Sequence, residues 1–151
     1  MKRFAILAAL LSILAVRTDA QPAAERQLVL VSGANVPVAA LPPAEVRRLF
    51  LGTPSEHAGQ QIRALHNDSE PLVREVFLQK IVFMSADHYE RHLLAQVYRA
   101  GGQRPARYGT LDTLVQALQQ QPGAVTYMWA STAREISGIT VVQELWRGRV
   151  D

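Results

Sequence analysis

Asn67-Asp68-Ser69 stands just ahead of Pro71, between an apolar run at Ile62 to Leu65 and a stretch whose Leu72, Val73, Val76, Phe77 and Ile81 recur at helical spacing. A serine at a helix start that follows a strand can do one of two things. Its hydroxyl can cap the helix by accepting from a backbone N–H. Alternatively, with unpaired amides and the positive end of the helix dipole, it can hold an anion. His66 and Asn67 are placed to reach into the same site. Three local features oppose an anion: Asp68 and Glu70 repel it, Pro71 lacks an N–H, and no arginine in the loop offers a two-pronged grip. Ser32-Gly33 is a second candidate, just past the apolar run Leu28 to Val31. Ligands of open α/β sheets lie beyond the carboxyl ends of strands, and a glycine there lets them approach the backbone; the alternative is an ordinary turn. Ser69, Asn67, His66, Ser32 and Gly33 therefore make up the candidate anion site.

Other groupings suggest less. His88 and His92 are four apart with Glu90 between them, a spacing that puts two imidazoles on one helix face. The order is not the His-Glu-x-x-His of zinc hydrolases and no third ligand is near, so neither a metal nor a cofactor is expected. Arg99, Arg104 and Arg107 surround Gly101-Gly102, either as a basic rim that steers anions or as a solvated surface. Trp129 and Trp146 either anchor a partner or close an edge of the core. There is no Gly-x-Ser-x-Gly elbow, phosphate loop, dinucleotide fingerprint or cysteine, and Asp68 and Glu70 are too close in sequence to oppose each other. A non-enzyme is expected.

The elements that position these residues follow from periodicity. Leu28 to Val31, Ile62 to Leu65, Ala124 to Met128 and Ile139 to Val142 read as strands. Pro42-Pro43 opens a helix with Val46, Leu49 and Phe50 on one face. Ser85 caps a helix through Tyr98, Thr110 caps another, and Ser131 to Glu135 is a single helical turn. Strands alternating with helices indicate an α/β domain: a mixed, mostly parallel sheet of about four strands flanked by helices.

The amino terminus has a different character. Lys2 and Arg3 precede an apolar run, Phe4 to Val16, and small residues follow at Thr18-Asp19-Ala20. This is the layout of a cleaved signal peptide over residues 1–20. A polar leader, 21–26, the domain, 27–145, and a frayed tail, 146–151, would follow. The apolar run is too short to cross a bilayer: about 20 Å of helix against roughly 30 Å of hydrocarbon. Removing Lys2, Arg3, Arg17 and Asp19 lowers the net charge from +3 to +1. No strong field for nucleic acid is left, and no membrane insertion is expected after cleavage.

Several segments, taken in order, resemble the phosphate-type periplasmic solute-binding proteins. Leu41-Pro42-Pro43-Ala44-Glu45-Val46-Arg47-Arg48-Leu49-Phe50-Leu51-Gly52 is similar to their helix ending in isoleucine-phenylalanine-leucine-glycine. Asp68-Ser69 with Arg74 and Phe77 resembles their substrate loop and helix, Gly101 to Pro105 their glycine and proline loop, and Pro122-Gly123-Ala124-Val125-Thr126-Tyr127 their strand entry. The resemblance spans about Leu28 to Val142. It implies one lobe of a periplasmic-binding-protein-like fold, a periplasmic location, and a small oxyanion such as phosphate as ligand. It also implies an accessory role to an ABC-type uptake or sensing system, with a membrane transporter or sensor as partner. The chain departs from the pattern where the family's loop has arginine, aspartate and glycine-threonine; here stand Leu65, Asn67 and Glu70-Pro71, and only Ser69 is kept. That erosion implies an alternative, a ligand-free interaction module.

Overall fold

A computed structural model describes residues 24–150. The expected signal peptide and the first half of the leader, residues 21–23, lie outside them. Strand β1 (Glu25–Gly33) leads to helix α1 (Pro43–Phe50), then to β2 (Ser55–His57) and β3 (Gln60–Asn67). Helix α2 (Pro71–Phe77) runs straight into a π-helical segment, Leu78–Val82, which stops at Phe83 in a left-handed conformation (φ 60°). Helix α3 (Ala86–Ala100), β4 (Ala106–Tyr108), α4 (Leu111–Gln120), β5 (Ala124–Trp129), α5 (Ala130–Glu135) and β6 (Ile139–Arg149) complete the chain. Ser85 and Thr110 cap their helices as expected, accepting from His88 N and Thr113 N.

The sheet order is β2-β3-β5-β1-β6. Strand β5 runs parallel to β3 on one edge, and β2 and β4 divide the other edge between residues 60–62 and 65–67 of β3. The mixed α/β expectation holds, with two differences. Among the described residues the sheet has six strands rather than about four, because three-residue strands such as β2 and β4 have too few residues to show alternation. The sheet is also not mostly parallel: β1 pairs antiparallel with both β5 and β6, and β2 with β3.

Residues 146–149 do not fray. They extend β6 along β1, with Trp146 opposite Leu28 and Arg149 opposite Glu25, so Glu25 and Arg26 of the expected leader are in the sheet as well. Trp146, Leu145 and Val142 pack on the core, and this apolar contact holds a segment whose sequence looks polar.

Strands β1 and β5 are covered on both faces. Leu28 and Leu30, with Val125, Tyr127 and Trp129, face a core built on α1, α2, the π segment and α3. Val29 and Val31, with Ala124 and Met128, face a smaller core under α4 and α5. The period of two thus sorts one apolar run into two cores. Phe77 stacks on Tyr127 with ring centroids 3.7 Å apart, and Phe50 meets both edge-on.

Candidate functional site

Strands β3, β4 and β5 run parallel, and each leads into a helix. Asn67 ends β3 ahead of α2, Tyr108 ends β4 ahead of α4, and Trp129 ends β5 against α5. A hollow of about 490 Å³ opens beyond these three carboxyl ends. Asn67, Ser69 and Glu70 line it from the first connection, Gly109, Thr110 and Asp112 from the second, and Trp129 and Thr132 from the third. In α/β sheets this is where ligands lie, because strand ends and helix starts together present unpaired main-chain donors.

Within the hollow, Asn67 is the organiser. It is almost fully buried, and its Nδ2 donates to the Tyr127 carbonyl at 3.0 Å across the β3–β5 pair. Its Oδ1 accepts from Ser69 N at 3.1 Å and from Ser69 Oγ at 2.5 Å. An asparagine carbonyl bonded to the amide two residues on is a self-contained turn. Ser69 therefore does not cap α2: Glu70 occupies that position, with no side-chain capping bond. Glu70 instead accepts from Trp129 Nε1 at 3.1 Å, which ties the α2 connection to the end of β5. Replacing Asn67 by alanine would leave the Tyr127 carbonyl and both Ser69 donors without this partner. We expect a loss of about 2 kcal/mol, measured by urea unfolding, with the Ser69 amide becoming exchange-labile.

The other predicted residues lie elsewhere. His66 points into the large core among Phe50, Phe77, Tyr89 and Tyr127 and does not line the hollow, because successive side chains of β3 face opposite sides of the sheet. Its Nδ1 lies 3.0 Å from the Tyr127 hydroxyl, and its Nε2 bonds to the Tyr89 hydroxyl. Tyr89 donates to the Phe50 carbonyl, so it accepts from His66 Nε2–H, and Tyr127 donates to Nδ1. Burial pulls the His66 pKa down to about 3, helped by Arg74 and Arg107 and opposed by Asp68.

Ser32 and Gly33 are at the wrong end of the sheet. Strand β1 is antiparallel to β5, so Ser32 lies opposite Val125 while Leu28 lies opposite Trp129. Four residues of strand separate that end from the hollow by about 13 Å. Gly33 serves packing: a Cβ there would sit 2.4 Å from the Leu118 carbonyl oxygen.

The arginines read as a possible rim are partly committed. Arg107 donates to Asp68 at 2.6 Å and to Glu90 at 2.8 Å, and Arg104 lies 3.6 Å from Glu90. Arg74 donates to Glu90 at 2.8 Å and comes within 3.2 Å of Asp68 without hydrogen-bond alignment. None of them lines the hollow. Trp129 is buried and Trp146 packs on the core, so both close its edge. No group of three potential metal ligands occurs among the described residues, and no helix there is long and apolar enough to cross a membrane.

Thr110, Asp112, Trp129 and Thr132 were not singled out as residues of this hollow. The available signal was topological: the hollow sits where several strand ends meet, Trp129 ends β5, and the other three follow a strand by two to four positions.

No family model and no curated protein matches the chain. Solved structures do. An ABC-type phosphate transport receptor from Vibrio cholerae superposes with a TM-score of 0.57 at 11% identity, over 80% of this chain and 46% of the receptor. PstS from Borrelia burgdorferi gives 0.54 at 9% identity, over 80% of this chain and 48% of its own length. The chain thus spans about half the length of these proteins, and at such identities the likeness is one of fold. The described residues form a mixed α/β domain that resembles one lobe of a periplasmic binding protein.

Proposed function

We propose a solute-binding-like role in which the hollow beyond β3, β4 and β5 takes a small oxyanion, with phosphate the first candidate, as an accessory to an uptake or sensing system in the periplasm. The carrying observation is the convergence of three strand ends and three helix starts on one accessible hollow. Ser69 already gives both its donors to Asn67, and Asp68 N donates to the Tyr108 carbonyl, so the hydroxyl of Thr132 and the remaining main-chain amides of the connections would do the holding.

The hollow sets a chemical condition on its ligand. Glu70 and Asp112 line it, and no lysine or arginine does. A carboxylate beside an anion is tolerable only if the ligand has a proton to donate to it. Phosphate carries such a proton at neutral pH and sulfate does not. Calorimetric titration should therefore show heat with phosphate and none with sulfate at this site. Thr132→Val should weaken the phosphate response about tenfold, the worth of one hydrogen bond to a charged group. Absence of heat at millimolar phosphate would overturn the reading.

One observation favours a second reading. The nearby arginines are bound by Asp68 and Glu90, and the hollow has no cation of its own. A ligand-free module docking on a transporter, sensor or envelope complex would need none. In that case no anion would give Thr132-dependent heat at the hollow, while the partner still bound both the parent chain and Thr132→Val.

A further inference from the structure

We propose that a second groove, which shares only Trp129 with the hollow and is lined by Arg26, Arg134 and Arg147, is a binding site for a small tetrahedral oxyanion. The groove encloses about 240 Å³ at the start of β1, and Gln27, Trp129, Ala130 and Ser131 complete most of its wall. Its three cations come from different elements. Arg26 lies in β1, Arg147 lies opposite Gln27 on the neighbouring β6, and Arg134 is in the last turn of α5. Sequence alone could not bring them together, because residues 26 and 147 meet only through the β1–β6 pairing.

The guanidiniums retain capacity for a ligand. Among the described residues, no carboxylate comes within ion-pair distance of Arg134. Arg26 lies over the Trp129 ring, 5.2 Å from its centroid, and its nearest carboxylate contact is a long 3.7 Å to Glu70. Arg147 reaches Glu144 through Nε and Nη2, which leaves Nη1. Glu25 also lines the groove, and it, Glu70 beside Arg26 and Glu144 on Arg147 are carboxylates that oppose an anion. Planar guanidiniums match the geometry of phosphate and sulfate oxygens, and the Ser131 hydroxyl adds a donor.

This site is chemically the reverse of the hollow. Cations hold the ligand, so it needs no proton, and sulfate and phosphate should bind alike. The test titrates inorganic phosphate and sodium sulfate, at constant ionic strength set with chloride, against the amide NMR signals of Ser131 and Arg134. We expect saturable shifts with both anions, with affinities within about threefold of each other. Arg134→Ala, an exposed substitution, should weaken both about tenfold, and Thr132→Val should weaken neither. The inference is overturned if neither anion gives a saturable shift, if chloride alone reproduces it, or if Arg134→Ala binds like the parent chain. Failure of the hollow shows instead as loss of the phosphate-only, Thr132-dependent heat, so the two outcomes are independent.

Discussion

Acidification from pH 7 to pH 4 should remove about 3 kcal/mol of stability through His66 alone, and His66→Gln should flatten that slope. The unfolded chain takes up a proton at this imidazole near 6.5, whereas the folded chain holds it neutral until about 3. Between those values the unfolded state binds the extra proton, so each unit of falling pH favours unfolding by about 1.4 kcal/mol. The contribution is complete above pH 6.5 and is lost progressively toward pH 3. The cause is first of all burial, and the hydrogen-bond chain explains why no relief is at hand. Tyr127 O–H donates to Nδ1, Nε2–H donates to Tyr89, and Tyr89 donates to the Phe50 carbonyl. A proton added at Nδ1 would face a hydroxyl that is already donating, so Tyr127 would have to turn toward a new acceptor inside an aromatic cluster. Carboxylates as a class also titrate over this range, so the informative quantity is the difference in slope between parent and variant, from urea midpoints at successive pH values. A His66 ring titrating near 6.5 by NMR, or identical slopes, would refute it.

How much of this was legible in the sequence differs by element. Helices α1, α3 and α4 could be read because proline, serine and threonine mark their starts and their apolar faces recur at helical spacing. The central strands could be read as short apolar runs. The hidden features depend on pairing. Trp146 looks like a polar tail's stray apolar residue until β1 lies beside it. The same holds for the site. Ser69 and Asn67 are local, and a strand–turn–helix pattern finds them. Their neighbours Thr110 and Thr132 come from two other strand ends, and only the parallel register of β3, β4 and β5 brings the three together. His66 was misplaced for a similar reason. It sits one residue from Asn67, and in a strand one residue is the difference between a hollow and a core. Ser32-Gly33 was placed with Ser69 on the premise of parallel strands, and the antiparallel β1 sends it to the far edge.

Gly123→Ala should destabilise the fold by roughly 4 kcal/mol, and Gly59→Ala by only about 1 kcal/mol, although both glycines have nearly the same backbone conformation. Their φ values are 78° and 77°, so the strain of placing an L side chain in the left-handed region is common to both. Their surroundings differ completely. A Cβ at Gly59 meets nothing within 4 Å, whereas one at Gly123 would fall 1.9 Å from the Gln61 carbonyl oxygen. That oxygen is backbone of β3 and cannot swing aside as a side chain would. Gly123 also accepts from Arg63 N at 2.9 Å, the bond that precedes the parallel pairing of Arg63 with Ala124 and Ala64 with Val125. Pushing the two strands apart here loosens the pairing that sets Asn67 against Tyr127 and holds Trp129 near Glu70 at the other end. Thermal or urea unfolding of the two variants separates strain from crowding, and equal losses would show that the close approach of β5 to β3 is not what glycine provides. In any Gly123→Ala protein that still folds, Trp129 should lose its bond to Glu70, and the hollow should bind phosphate more weakly than in the Gly59→Ala protein. Unchanged phosphate binding would mean that the β3–β5 register does not shape the hollow.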